Sequence, residues 1–114
     1  MTLDSLTEQL RAFAQTRDWD QFHSPKNLSM ALSVEAAELL EHFQWLTEHE
    51  SLNLSASQHE QVALEMADVF IYLLRLADKL DIDLLEIARR KIVLNEQKYP
   101  AEKVRGKAGK RKDR

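Results

Sequence analysis

Cysteine is absent from this 114-residue sequence, which excludes disulfides, thiolate metal sites and thiol nucleophiles. Glycine and proline number two each, too few for the many tight turns of a sandwich or barrel. No apolar run approaches the ~20 residues of a membrane-spanning helix. The opening Met1-Thr2-Leu3-Asp4 has no basic stretch followed by an apolar core. A cytoplasmic protein with no membrane partner is therefore expected. What is present is 44% hydrophobic and 31% charged, the mixture of one all-α domain.

A further absence is local. Between Lys26 and Arg75 there is no lysine or arginine. Positive charge gathers instead at the end, where residues 101–114 hold seven cations against two acids. With −3 overall, the first hundred residues then carry −8. An acidic body makes nucleic acid an unfavoured partner. The composition divides the chain into a folded domain over 1–100 and a basic, disordered tail over 101–114.

The cation-free stretch contains two short acidic motifs, Glu35-Ala-Ala-Glu38 and Glu65-Met-Ala-Asp68. On a helix, residues three apart share a side, with Cβ atoms roughly 5–6 Å apart. Both motifs sit in runs that are apolar nearly all round, the pattern of buried helices. A buried carboxylate without a partner costs several kcal/mol and protonates unless a cation compensates it. Four carboxylates without local protein cations point to a metal ion. An all-oxygen donor set selects a hard cation, Mg²⁺ or Mn²⁺. The alternative is that these acids face solvent or pair with Arg90 and Lys91.

Around these motifs the chain reads as four helices. The first is capped at Thr2 or Ser5, with Ser5 and Glu8 spaced as a capping box, carries the stripe Leu3, Leu6, Leu10, Phe13 and Ala14, and ends near Arg17-Asp18. Trp19, Phe22 and His23 follow in an irregular, ring-rich segment. That segment is either a plug under the helix junction or an aromatic wall for a planar ligand. Ser24-Pro25 opens a second helix to about Leu46. Trp45, ten residues after Glu35, falls on its acidic side, and His42 is placed to join it. Residues 47–57 read as a loop, with a lid as the sharper reading. Ser57 and Glu60 are spaced to open a third helix to about Leu80, with Tyr72 one turn beyond Asp68. Asp83 caps a fourth helix from Leu84 to Lys98. There Lys91, Asn95 and Lys98 line one face, as a solvated surface or as partners for phosphate oxygens. So much apolar helix surface in so short a chain predicts an oligomer.

The order Glu-x-x-Glu, 26 residues, Glu-x-x-Asp resembles the all-α NTP pyrophosphohydrolases of the MazG-like superfamily. Arg17 to Leu28, Phe43-Gln44-Trp45, Asp68 to Tyr72, and Lys91 to Pro100 resemble its dCTP pyrophosphatase branch. The resemblance implies a four-helix MazG-like bundle that oligomerises through its helices as a homo-dimer or homo-tetramer. It implies a metal set of Glu35, Glu38, Glu65 and Asp68 binding Mg²⁺, with Mn²⁺ as the substitute. Trp19, His23 and Trp45 would border the base with Tyr72 nearby. Lys91, Asn95, Lys98 and Tyr99 would bind the triphosphate or sugar of a nucleoside triphosphate. The implied reaction cleaves the α–β phosphoanhydride of a dNTP, dCTP or a modified dCTP favoured, to monophosphate and pyrophosphate. That is nucleotide-pool house-cleaning, with Glu38 as the catalytic base.

Two other readings remain open. A di-iron or di-manganese bundle would use Glu-x-x-His pairs, whereas His42 stands four residues from Glu38. A non-catalytic helical interaction module would salt-bridge its acidic pairs and gain no stability from Mg²⁺.

Overall fold

The computed structural model describes residues 1–107 and is all-α, with no strand among them. Its helices are α1 (Leu3–Thr16), α2 (Pro25–Glu41), α3 (Glu48–Ser51), α4 (Ala56–Lys79), α5 (Leu84–Lys98) and α6 (Ala101–Val104). A 3₁₀ turn, Asp20–Phe22, lies between α1 and α2. The chain forms two compact units, Met1–Asp81 and one beginning at Ile82.

In the first unit α2 packs along α4, and α1 packs on α4 and on the 3₁₀ turn. Ala14, Leu28, Val62, Leu74 and Ala77 form its core. Each helix begins where a side chain can occupy an orphan backbone N–H. Thr2 and Ser5 form a reciprocal capping box on α1. Ser24 accepts from the Asn27 N–H, and Pro25 follows in the first turn of α2.

Three boundaries differ from the sequence expectation. α2 stops at Glu41, and His42–Leu46 continues as hydrogen-bonded turns. His42, Phe43 and Trp45 are weaker helix formers than the Ala-, Leu- and Glu-rich run before them. Residues 47–57 are not wholly irregular, because Thr47 and Glu50 cap one another and hold the single turn of α3. The cap of α4 is Ser55 with Gln58, not Ser57 with Glu60. Both pairs satisfy the same spacing rule, and the earlier one is used.

The end of α1 places the aromatic segment. Asp18 adopts a left-handed conformation (φ 54°), a geometry Asp tolerates better than most residues. Its N–H reaches the Gln15 carbonyl, and the Trp19 N–H reaches that of Ala14 at 2.8 Å. These two bonds make a Schellman stop, which usually brings the following residue onto the last turn. Trp19 accordingly meets Phe13 edge to face at 5.7 Å.

Apolar side chains remain exposed on both acidic helices. Met30, Val34 and Leu40 on α2, and Met66, Phe70 and Leu73 on α4, are all exposed. No helix among the described residues is long and apolar enough to cross a membrane.

In the second unit Asp83 caps α5 by accepting from the Glu86 N–H, as the sequence predicts. Pro100 ends that helix, and one further turn, α6, follows it. The expected disordered tail begins where α6 stands, and residues 108–114 lie outside the described residues.

Candidate active site

α2 and α4 bring Glu35, Glu38 and Glu65 together. One carboxylate oxygen from each lies within 4.8 Å of the others. One oxygen of Glu35 and one of Glu65 are buried and accept no hydrogen bond. Within Met1–Asp81 no lysine or arginine pairs with any of the three, and the His42 ring stands with its Nε2 4.0 Å from Glu65. The consequence is electrostatic. The adjoining Glu65 carboxyl, then burial, then Glu38 push the Glu35 carboxyl up to about 8.

Two orphaned buried oxygens among three clustered carboxylates are what a divalent cation would satisfy, so the residues present fit one. The fourth expected ligand stands apart. Asp68, one turn beyond Glu65, is outside the 4.8 Å group and lines an adjoining cavity.

That cavity encloses about 270 Å³. Trp19 and His23 enter it from the segment after α1, and Asp68, Tyr72 and Arg75 enter from successive turns of α4. Leu10, Phe13, Ala14 and Ile71 supply its apolar wall. Three of the four expected base-binding side chains therefore share one cavity with Asp68. Trp45 does not join them and is 87% exposed.

Arg75 was not anticipated as a site residue. It is 3% exposed and ties the cavity floor together. Its guanidinium donates to Asp20 at 2.9 Å, to Asp78 at 3.3 Å and to His23 Nδ1 at 3.3 Å. Lys79 also donates to Asp20, and Arg11 to Asp78. These cations hold both carboxyls below the usual Asp range, Lys79 acting first on Asp20 and Arg11 first on Asp78. The available signal was spacing: Asp68, Tyr72 and Arg75 stand at i, i+4 and i+7 on one helix face.

The expected phosphate-binding residues belong to the second unit. On α5, Lys91 is exposed and Asn95 half-buried. The Tyr99 N–H donates to the Asn95 carbonyl at 2.7 Å, and the Lys98 ammonium stands 5.6 Å from the Tyr99 ring centre.

Comparison with known proteins places the chain in a family. Residues 30–113 match the MazG-like family. dCTP pyrophosphatase 1 of Homo sapiens is 40% identical over 111 residues, covering 96% of this chain and 65% of that protein. The Mus musculus protein of the same name is 40% identical over 114 residues, covering 98% and 67%. The chain thus spans about two thirds of the length of these curated relatives. A crystal structure of a pyrophosphatase from Archaeoglobus fulgidus superposes with a TM-score of 0.81 at 43% identity, over 85% of this chain and 91% of that one. The acidic pairs, the helical fold and these alignments agree, and the chain belongs to the MazG-like family.

Proposed function

We propose that this protein is a Mg²⁺-dependent nucleoside triphosphate pyrophosphohydrolase that hydrolyses a dNTP, dCTP or a modified dCTP favoured, to monophosphate and pyrophosphate. The observation that carries the reading is the uncompensated cluster of Glu35, Glu38 and Glu65 beside a ring-lined cavity. The names of the relatives, dCTP pyrophosphatase 1, support the substrate class.

In this reading the three glutamates, with Asp68, hold Mg²⁺ or Mn²⁺, which when bound neutralises phosphate charge and orients the attacking water. The Glu38 carboxylate takes the proton of that water as its oxygen bonds to the α-phosphorus. The bond to the bridging oxygen breaks, and pyrophosphate leaves. Trp19, His23 and Tyr72 receive the base, and Trp45 closes over it from the surface. The Trp19 and Tyr72 rings and the apolar wall of that cavity suit a planar base. Lys91, Asn95, Lys98 and Tyr99 take the triphosphate or sugar.

The exposed stripes on α2 and α4 support assembly as a homo-dimer or homo-tetramer, because burying them removes apolar surface from water. Residues 1–100 act as the catalytic domain, 101–114 form a basic tail, and the protein works in the cytoplasm clearing the nucleotide pool.

The test is a panel of dNTPs and NTPs, 5-methyl-dCTP included, scored with Mg²⁺ for pyrophosphate against orthophosphate. Pyrophosphate from dCTP, lost in Glu38→Gln, is the expected result. Orthophosphate release would move the attack to another phosphorus, and no turnover would favour a non-catalytic helical module.

A further inference from the structure

Arg75 has no part in the reaction as written above, yet it is the most buried charged residue among those described, at 3% exposure. A guanidinium stays protonated and carries only donors. Its Nε and Nη2 lie 3.3 and 3.2 Å from Nδ1 of His23. That nitrogen must therefore accept, and the ring proton of a neutral His23 must sit on Nε2. The guanidinium has little freedom to turn away. Asp20 holds Nη2 at 2.9 Å and Asp78 holds Nη1 at 3.3 Å. Each aspartate is braced by a second cation, Lys79 at 2.7 Å and Arg11 at 2.6 Å.

We infer that Arg75 is a positioning residue that locks His23 in the Nε2–H tautomer, so that the ring donates a hydrogen bond to an acceptor atom of the ligand in the cavity. Burial, then the Arg75 charge, hold His23 below its ordinary value against the opposing pull of Asp20, which agrees with a neutral ring. No protein acceptor among the described residues meets Nε2, whereas Nδ1 is engaged twice.

The fixed proton narrows the ligand. The group facing His23 must be an acceptor, such as a ring carbonyl or an unprotonated ring nitrogen of a nucleobase. A cavity walled by Phe13, Trp19, Ile71 and Tyr72, with the Asp68 carboxylate in its lining, favours that over a phosphate oxygen. This identification of the ligand rests on the nucleotide reading. The tautomer assignment does not.

The test is a long-range ¹H–¹⁵N spectrum of the full chain labelled at histidine, with His23→Gln marking which ring signals vanish. One tautomer is expected, Nδ1 unprotonated and Nε2 protonated. A protonated Nδ1, or an even mixture, overturns the inference. Arg75→Lys keeps the buried charge but not the planar fork. It should admit the second tautomer and raise KM for dCTP about tenfold, with kcat within about twofold. An unchanged tautomer in Arg75→Lys removes Arg75 from the role. A changed tautomer with unchanged KM removes the ligand bond. Should Arg75→Lys fail to fold, His23 variants decide the ligand bond. His23→Leu should raise KM about tenfold, and His23→Gln, which restores a donor, should recover most of that rise. Equal losses in both would overturn it. A wild type that turns over no nucleotide sinks the nucleotide reading alone, and the spectrum still decides the tautomer.

Discussion

α4 carries two charged regions that are solved in opposite ways. Near its middle Glu65 joins Glu35 and Glu38, and buried oxygens are left without donors. Ten residues on, about 15 Å along the helix, Arg75 is more deeply buried but meets Asp20, Asp78 and His23. The second region is complete as folded, and removing a member leaves a buried charge stranded. The first gathers acids whose buried oxygens meet no protein donor, the arrangement that a divalent cation would satisfy. Paired charge of the Arg75 kind holds a fold together, whereas a concentrated unpaired deficit marks the place where something binds.

Several substitutions break or sharpen this contrast. The largest effect belongs to the deficient region. Glu38→Gln should lower dCTP turnover by about 10²–10⁴-fold while leaving the helical circular-dichroism signal in place. In the completed region Arg75→Met should leave the carboxylate cluster alone and lower stability by about 3 kcal/mol in urea unfolding. That value lies at the low end for a broken buried pair, because Lys79 and Arg11 still serve the two aspartates.

Acidity separates the regions by sign. Without metal, the folded protein keeps a proton on Glu35 up to about pH 8, while the unfolded chain releases it near 4.5. That contribution is fully present below pH 4.5 and is lost as pH rises through 8. Asp78, held below its ordinary 3.8, contributes stability that is present above that value and lost as pH falls through its folded one. Metal-free unfolding followed from pH 4 to 9 should therefore show a decline toward alkaline pH that Glu35→Gln abolishes. The smallest effect is expected at the rim. Arg11→Ala removes an exposed, solvent-screened partner of Asp78 and should shift the urea midpoint least of these substitutions.

The two regions were not equally legible in the sequence. Glu35, Glu38 and Glu65 were visible because acids three apart in apolar runs contradict their surroundings, and no lysine or arginine stands nearby. The Arg75 network was hidden, since its partners Asp20 and His23 lie 55 and 52 residues away, and only packing of the 3₁₀ turn against α4 joins them. Asp68 was grouped with the other acids by spacing, and that spacing does not reveal that it lies outside their 4.8 Å group and lines the cavity. Trp45 was placed on the acidic side by counting helical turns, a count that fails because α2 ends at Glu41. Single caps were legible at Ser24 and Asp83, whereas both capping boxes were misplaced, Thr2-Ser5 being used instead of Ser5-Glu8 and Ser55-Gln58 instead of Ser57-Glu60, because each region offers the same spacing twice.

The most direct measurement is thermal unfolding at pH 7.5 over a Mg²⁺ titration, for the wild type and Glu35→Gln side by side. A cation bound by the folded state alone must raise the Tm as its concentration exceeds the Kd. The account predicts a rising wild-type Tm and a flat or much weaker response in the variant. A wild-type Tm indifferent to Mg²⁺ and to Mn²⁺, or an equal rise in both proteins, would contradict it.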